Sequence, residues 1–407
     1  MIDTSVHAFT SITANYLPKA RVLAHSIKRL APAMRFHLLL ADDVPDGFEL
    51  AAEPFDTLIT LADLGLVEQR QWLFGHSVVE LCTAVKGFGF QYLLDHHRAA
   101  KAFYFDPDIV VFGRLDELVA RLDRNSAVLT PHQCVPESAL EAITDNEIGS
   151  LLHGVFNLGF LGVSAAGEGR RLIDWWAERL RLFCHDDKAR GLFTDQRWMD
   201  LAPCFFPDIG ILRDPGFNVA TWNLTHRTAT GSLAEGVRIN DEPLGFYHFS
   251  GFDSGAQEVM LNKYGGGSPL LLELRTWYLA ECDRHGQAEL GDRVARYSRF
   301  DDGTVIEGRQ RVLYRNRGDL RMAFPDPFAT ADPQHSYLHW WRRNAPSDGD
   351  AGRFDAALDA RYRQVFTEFL AYTEARIWRT PRLGRVSRAL ALAAVRTARR
   401  CARRLPG

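Results

Sequence analysis

The strongest constraint on the fold is an alternation of strand and helix patterns over about the first hundred residues. Residues 6–14, 36–40 and 56–61 have the apolar character of buried strands. Residues 17–30, between the first two strand patterns, place apolar side chains on one face of a helix. Residues 78–94, after the third strand pattern, have the same helical period. Strands that alternate with helices in this way predict an α/β domain with a mostly parallel sheet and flanking helices.

Two acidic residues interrupt the next apolar stretch, residues 103–112, where Asp106 and Asp108 stand on either side of Pro107. An unpaired buried charge is expensive, so these carboxylates need a partner. Two hard oxygen ligands at a strand end suit Mg²⁺ or Mn²⁺, and such a cation usually serves a phosphate or diphosphate. The pair therefore predicts a metal site, although a proline turn at a strand end is an alternative explanation.

Composition describes an ordinary globular chain. Its 407 residues are 46% hydrophobic and 24% charged, with a net charge of −3, so no nucleic-acid partner is expected. The six cysteines are scattered without a Cys-x-x-Cys pair, and we recognise neither a signal peptide nor an apolar run long enough to cross a bilayer. These features favour a reducing, cytoplasmic location.

Further elements follow the acidic pair along the chain. Residues 126–131 and 155–163 read as strands, residues 169–183 as an amphipathic helix, and Thr194 as the N-cap of another helix. After about residue 255 the pattern becomes mainly helical, with a β-turn or hairpin at residues 300–305. We expect three regions, which are a catalytic domain at 1–255, an accessory region at 256–378 and a basic amphipathic helix at 379–407.

Five segments occur in the order typical of the GT-A glycosyltransferases, and they resemble above all the retaining enzymes of glycosyltransferase family 8. They are Thr10–Pro18, Phe105–Asp108, Phe156–Gly159, Thr194–Gln196 and His248–Gly251. The resemblance covers about residues 6–255 and implies a GT-A fold, which is a Rossmann-like sheet with flanking helices. A lone Asp-x-Asp is a weak signal, whereas five segments in family order are a strong one.

The resemblance implies a role for each segment. Asp106, Asp108 and His248 would bind one Mn²⁺ or Mg²⁺ on the donor diphosphate. The nucleotide would contact a set of residues near the first two strand ends, namely Thr10, Ser11, Thr13, Asn15, Tyr16 and Asp42. For each of these, ordinary capping is the structural alternative. A hydrogen-bonded core histidine is the alternative for His248.

The remaining candidates surround the sugar. Asn157 would read the donor sugar or orient the acceptor, and Gly159 would let a ligand approach the backbone. Asp195 would bind sugar hydroxyls, and Gln196 would stabilise positive charge near the anomeric carbon. Lys86 would contact the donor or pair with Asp106 or Asp195. Four of these residues have a structural alternative. Asn157 could be a polar residue with satisfied hydrogen bonds, Asp195 and Gln196 could cap a helix, and Lys86 could be a solvated lysine.

One departure from family 8 concerns the diphosphate. That family often has Gly-x-x-Lys-Pro-Trp after the late histidine, whereas here Gly251 is followed by no lysine before Lys263. Lys263 would have to replace that lysine from a loop hinged at Gly265–Gly267.

The sequence therefore predicts a metal-dependent hexosyltransferase. It would use a nucleoside-diphosphate sugar, most simply a UDP-sugar, and a saccharide or lipid-linked acceptor in bacterial surface glycan synthesis. The resemblance to family 8 implies that the anomeric configuration is retained. Asp195 could instead act as the base of an inverting enzyme. The rival predictions are a haloacid dehalogenase-type phosphatase with Asp106 as nucleophile, and a non-catalytic sugar-binding protein.

The C-terminal segment has a separate prediction. Ten arginines and no acidic residue lie between Arg376 and Gly407, interleaved with apolar residues after Arg388. Such a helix could rest on anionic lipid at the inner face of a membrane, or it could be a solvated tail.

Overall fold

The computed structural model describes residues 2–253, 255–344 and Leu392. By its internal contacts the chain divides into two compact units, Met1–Leu338 and His339–Gly407. The candidate site lies in the first unit. The basic amphipathic helix predicted at residues 379–407 falls outside the described residues, apart from Leu392, and so does the end of the predicted accessory region from residue 345 to residue 378.

The described strands and helices follow the predicted alternation. The strands are β1 Val6–Ile12, β2 Arg35–Leu40, β3 Thr57–Thr60, β4 Lys101–Phe105, β5 Ile109–Val111, β6 Ala127–Pro131, β7 Phe156–Ser164, β8 Asp186–Asp187, β9 Leu192–Phe193, β10 Ile209–Ile211, β11 Ala229–Ser232, β12 Gly236–Ile239, β13 Glu242–Pro243 and β14 Phe246–His248. The helices are α1 Leu17–Leu30, α2 Arg70–Gly75, α3 Val78–Ala84, α4 Lys86–His96, α5 Leu115–Arg121, α6 Leu140–Ala142, α7 Gly149–His153, α8 Gly169–Phe183, α9 Gln196–Met199, α10 Ala202–Phe205, α11 Ala256–Tyr264, α12 Pro269–Arg284, α13 Gln287–Leu290, α14 Gly308–Asn316, α15 Gly318–Ala323 and α16 Tyr337–Asn344.

Seven of these strands form one sheet in the order β10-β6-β7-β4-β1-β2-β3. Strand β7 is antiparallel to both of its neighbours, and the other adjacent pairs are parallel. Every residue of β1 is buried, as expected for a central strand that is covered on both faces. The predicted α/β class is confirmed, and the described residues from 256 to 344 are mainly helical, as predicted.

The two faces of the sheet have separate cores. Ala8 of β1 and Phe36 of β2 belong to the core that includes Leu23 of α1. On the opposite face, Phe9 packs edge-on against Phe90 of α4, with the ring centroids 4.9 Å apart. Strand alternation therefore points successive β1 side chains towards α1 and towards α4.

Two local predictions need correction. The helix predicted at residues 78–94 is two helices joined at Val85, and the first begins at a capping box between Ser77 and Glu80. Thr194 is not an N-cap, because helix α9 begins at Gln196 and Thr194 has a left-handed φ of 41°.

The β-turn predicted near residue 301 is present, because Arg299 and Val305 form an isolated antiparallel bridge. In the part of the chain that is described, we find no helix that is both long and apolar enough to cross a bilayer.

Candidate functional site

The Asp106–Asp108 turn is fixed at both ends by backbone hydrogen bonds. The Asp106 amide donates to the carbonyl of Gly159 on β7 at 2.7 Å. The carbonyl of Asp108 accepts from the amide of Phe249, just after β14, at 2.8 Å. Strand β5 then pairs antiparallel with β14 and places Ile109 opposite His248. This pairing brings a histidine 140 residues away in sequence to the two aspartates.

Asp106, Asp108 and His248 form a compact set of metal-ligand types. Their ligand atoms all lie within 4.8 Å of one another. The Nε2 atom of His248 is 3.0 Å from Oδ1 of Asp108 and 3.8 Å from Oδ2 of Asp106. Two carboxylates and one imidazole suit Mn²⁺ or Mg²⁺ and leave positions for ligand oxygens, so the residues present fit the predicted cation.

The orientation of His248 is set by its other ring nitrogen. Nδ1 lies 3.1 Å from Oδ1 of Asn157, and the same oxygen accepts from the amide of Gly159 at 3.3 Å. Because that oxygen only accepts, Nδ1 carries the proton and Nε2 faces the aspartates. Burial alone would lower the pKa of His248, but Asp108 and then Asp106 outweigh it and raise that pKa.

Gly159 is needed for this arrangement. A Cβ added at Gly159 would lie 2.5 Å from Cε1 of His248 and 2.8 Å from Oδ1 of Asn157. The imidazole of His248 therefore lies against the Gly159 backbone, and the predicted approach of a ligand to this glycine stays a prediction.

Lys86 connects the metal-ligand set to Asp195. Its Nζ lies 3.2 Å from Oδ1 of Asp106 and 2.9 Å from Oδ2 of Asp195, and it donates to the carbonyl of Leu158 at 3.0 Å. Its side chain is only 3% exposed. The predicted pairing is thus present with both aspartates, and Lys86 is not a solvated lysine. Tyr104 also donates to Asp106 at 2.6 Å.

These contacts control the charges. Burial would lower the pKa of Lys86, but Asp106 and Asp195 outweigh it and raise that pKa. Burial would raise the pKa of Asp106, but Lys86 and then His248 hold it below its ordinary value. For Asp195, burial raises the pKa, and the opposing effect of Lys86 is smaller. Asp106 is thus kept ionised as a ligand, whereas Asp195 is the more basic carboxylate.

Two adjoining cavities meet at this cluster. One of about 200 Å³ is bounded by Ser11, Thr13 and Tyr16 on one side and by Asp106 and Asp108 on the other. The second, of about 410 Å³, shares Asp106 and Lys86 with the first. Its wall includes further candidates, namely Asn157, Gly159, Asp195, Gln196 and His248. The Asp106–Asp108–His248 set therefore lies between the two cavities.

Gln196 is held in place by the backbone. Its Oε1 accepts from the amide of Leu158 at 3.0 Å, and its Nε2 donates to the carbonyl of His153 at 2.9 Å. The side chain lines the larger cavity, but each amide atom already has a backbone partner.

The other predicted nucleotide contacts are less uniform. The buried hydroxyls of Thr10 and Ser11 have no hydrogen-bond partner among the described residues. Asn15 accepts from the Thr13 hydroxyl at 2.7 Å. The Asp42 carboxylate accepts from backbone amides that include Ala14, and it does not line either cavity.

Gly251 and Lys263 do not line either cavity. Gly251 has a φ of 72°, which favours glycine. Lys263 Nζ pairs with Asp145 and, at 2.7 Å, with Glu141. Asp145 itself lines the larger cavity, so Lys263 lies behind its wall.

The residues of the larger cavity that sequence reasoning missed include His132, His153 and Trp222. The Trp222 ring meets His248 edge-on at 5.3 Å, and His132 Nε2 lies 3.3 Å from the Asn157 amide nitrogen. Burial lowers the pKa of His132 to about 4, so it is neutral. Their sequence signal is a polar or aromatic residue just after a strand or in a loop, where binding residues often lie.

Two curated relatives from Bacillus subtilis (strain 168) align with part of the chain. The uncharacterized protein YfnF is 29% identical over 150 residues, which are 37% of this chain and 46% of YfnF. The uncharacterized protein YfnD is 25% identical over 255 residues, which are 61% of this chain and 78% of YfnD. The chain thus spans less than half of YfnF. No family model matches the sequence.

Solved glycosyltransferase structures also align with the chain, all with TM-scores below 0.5. The galactosyltransferase LgtC, in complex with donor and acceptor sugar analogs, has a TM-score of 0.39 and 15% identity, covering 66% of this chain and all 100% of LgtC. Mouse xyloside xylosyltransferase 1 has a TM-score of 0.36 and 17% identity. The alignment covers 61% of this chain and 98% of the mouse enzyme. GlyE of Streptococcus pneumoniae TIGR4 has a TM-score of 0.37 and 13% identity. The alignment covers 72% of this chain and 66% of GlyE.

Proposed function

We propose that this chain is a metal-dependent glycosyltransferase that moves a hexose from a UDP-sugar to a saccharide or lipid-linked acceptor. One observation carries the proposal: the Asp106–Asp108–His248 set lies between two cavities and shares residues with both. A nucleotide sugar has the same layout, with a diphosphate between a nucleoside and a sugar.

The smaller cavity is the proposed nucleoside site. Ser11, Thr13 and Tyr16 line it at the end of β1, close to the start of α1. The buried hydroxyl of Ser11 has no hydrogen-bond partner among the described residues, and it would gain one if a nucleoside bound beside it. Thr10, Asn15 and Asp42 would support this wall through the backbone and through short polar contacts.

The larger cavity is the proposed site for the sugar and the acceptor. Asp195 offers a carboxylate to sugar hydroxyls, and Asn157 is aligned by its contacts with His132 and His248. When bound, the cation would neutralise the charge that develops on the departing diphosphate. Lys86 keeps Asp106 ionised and fixed for that purpose, which makes it a positioning residue.

Retention is the proposed stereochemical outcome. The Oδ2 atom of Asp195 lies 2.9 Å from Nζ of Lys86, and this ion pair reduces the nucleophilicity of the Asp195 carboxylate. A phosphate oxygen of the leaving diphosphate would then take the proton of the acceptor hydroxyl on the same face of the sugar. The Gln196 amide and nearby carbonyl groups would stabilise the positive charge on the ring. An inverting enzyme would instead use Asp195 as the base.

Nucleoside diphosphate release tests the proposal. The protein is incubated with a panel of nucleotide sugars and Mn²⁺, and the released nucleoside diphosphate is measured. Asp108→Asn should abolish release, whereas the matched variant Asp46→Asn, at an exposed position, should not change it. Release that survives Asp108→Asn would refute the proposal, and the anomeric configuration of the product, read by NMR, decides between retention and inversion.

The same assay separates the rival predictions. A phosphatase with Asp106 as nucleophile would release inorganic phosphate and form an acid-stable phosphoprotein that Asp106→Asn removes. A sugar-binding protein would bind the nucleotide sugar without turnover.

The proposed location is cytoplasmic, at the inner face of the membrane, in bacterial surface glycan synthesis. It rests on the arginine-rich residues after 376, most of which lie outside the described residues. Co-sedimentation with anionic liposomes should fall when residues 380–407 are deleted. Unchanged co-sedimentation would reject the membrane contact. Lys263 as a diphosphate ligand is likewise a proposal, since it requires the ion pairs with Asp145 and Glu141 to open.

A further inference from the structure

A cluster of three histidines lies at the end of the sheet away from the Asp106 turn. His7 stands near the start of β1, His37 lies on β2, and His97 immediately follows helix α4. One ring nitrogen from each lies within 4.8 Å of those of the other two. The candidate active site is built where β1 and β4 end, so the two clusters occupy opposite ends of these strands.

Strand register explains why the three side chains meet. The parallel pairing of β1 and β2 sets His37 opposite Phe9, which lies on the same face of β1 as His7. That face is covered by α4, as the Phe9–Phe90 contact shows. His97 follows the last residue of α4 and completes the group from above the sheet.

The contacts within the cluster are close. His7 Nδ1 lies 2.8 Å from His37 Nε2, and these two rings are stacked with centroids 5.1 Å apart. The His97 ring centroid lies 4.7 Å from that of His37 and 5.6 Å from that of His7. His37 is only 1% exposed, yet its Nδ1 has no hydrogen-bond partner among the described residues. A buried imidazole nitrogen without a partner is costly, and a metal ion bound at that nitrogen would remove the cost.

From this geometry we infer that His7, His37 and His97 form a second metal site, which takes a borderline divalent transition metal such as Zn²⁺. Three imidazoles with a fourth position left open are a common zinc ligand set. With metal–nitrogen distances of about 2.0–2.1 Å, tetrahedral ligands lie about 3.4 Å apart, so the side chains need to move by about 1 Å.

The charge state of the cluster agrees with this choice. Burial, reinforced by the neighbouring histidine, lowers the pKa of His7 to about 4 and that of His37 to about 2, so both are neutral at pH 7. The nearby charges of Lys28, Arg35 and Asp56 are paired with one another. Neutral nitrogen ligands without a carboxylate favour Zn²⁺, Cu²⁺ or Ni²⁺ over Mg²⁺, Ca²⁺ or Mn²⁺. The metal would tie β1, β2 and the end of α4 together.

Zn²⁺ binding by the full chain tests the inference. The double variant Asp106→Asn, Asp108→Asn first removes the other cluster among the described residues that could hold a cation. In that background we expect one equivalent of Zn²⁺ in a titration, a rise in Tm that saturates at one equivalent, and a Co²⁺ absorption spectrum of a four-coordinate site that Zn²⁺ bleaches.

His97→Ala should weaken Zn²⁺ binding by roughly 100-fold or more, because a ligand is lost. Its matched control is His96→Ala, since His96 is the adjacent exposed histidine. If the double variant does not fold, the wild-type chain should bind two equivalents of Zn²⁺ and His97→Ala one. Absence of a Zn²⁺ equivalent in the folded background, or equal losses in the two histidine variants, would overturn the inference.

Discussion

Gly159→Ala offers the sharpest test of how the fold positions the candidate metal ligands. The added Cβ would lie 2.5 Å from Cε1 and 2.8 Å from Nδ1 of His248. Ordinary carbon contacts begin at about 3.5 Å, so the imidazole must move by about 1 Å. That movement breaks the alignment of His248 with Asn157, 3.1 Å away, and with Asp108, 3.0 Å away.

Three magnitudes follow from this displacement. Overpacking costs about 1–3 kcal/mol of folding free energy. A ligand misplaced by about 1 Å should reduce turnover by roughly 100-fold and Mn²⁺ affinity by roughly 10–100-fold. Urea unfolding measures the first quantity. Calorimetric titration with Mn²⁺ and nucleoside diphosphate release measure the others.

Gly162→Ala is the matched control, because Gly162 lies on the same strand and also leaves too little space for a Cβ. Its added Cβ would meet Phe103, 2.8 Å from Cε1, in the core instead of at the cluster. We expect a similar loss of stability with Mn²⁺ affinity retained. If the two variants lose Mn²⁺ affinity equally, or if Gly159→Ala keeps it, then Gly159 does not act through His248.

Three further predictions concern charge and metal. Lys86→Met should destabilise the fold by about 3–5 kcal/mol in urea unfolding, because it leaves Asp106 and Asp195 buried without their cationic partner. Adding Asp195→Asn should restore part of that loss. An unchanged midpoint of urea unfolding would contradict the buried ion pairs. Burial lowers the pKa of His76 to about 4 from 6.5, so the unfolded chain binds more protons below pH 6.5. His132 has the same shift. The free energy of unfolding should therefore fall as the pH is lowered from about 6.5 to about 4, by up to about 1.4 kcal/mol per pH unit for each histidine. A free energy of unfolding that stays constant over that pH range would refute this prediction. Chelation with EDTA should abolish nucleoside diphosphate release and Mn²⁺ should restore it, whereas release that persists in EDTA would show that the cation is not required.

Local patterns predicted much of the framework. The apolar period placed β1, β2 and α1 closely, because burial on one or two faces leaves a direct mark on the sequence. The same patterns did not reveal the break between α3 and α4 at Val85, where the apolar period continues across both helices. Thr194 was misassigned because its side chain bonds to Asp195 at 3.0 Å instead of capping a helix.

By itself, the sequence determined that the chain has an α/β fold and that two aspartates stand at a strand end, because both are local properties of the chain. Only the tertiary structure decided what surrounds them. The pairing of β5 with β14 brings His248 to the aspartates, and the junction of α3 and α4 aims Lys86 between Asp106 and Asp195. Contacts between residues far apart in sequence depend on strand order and register, which no local pattern encodes.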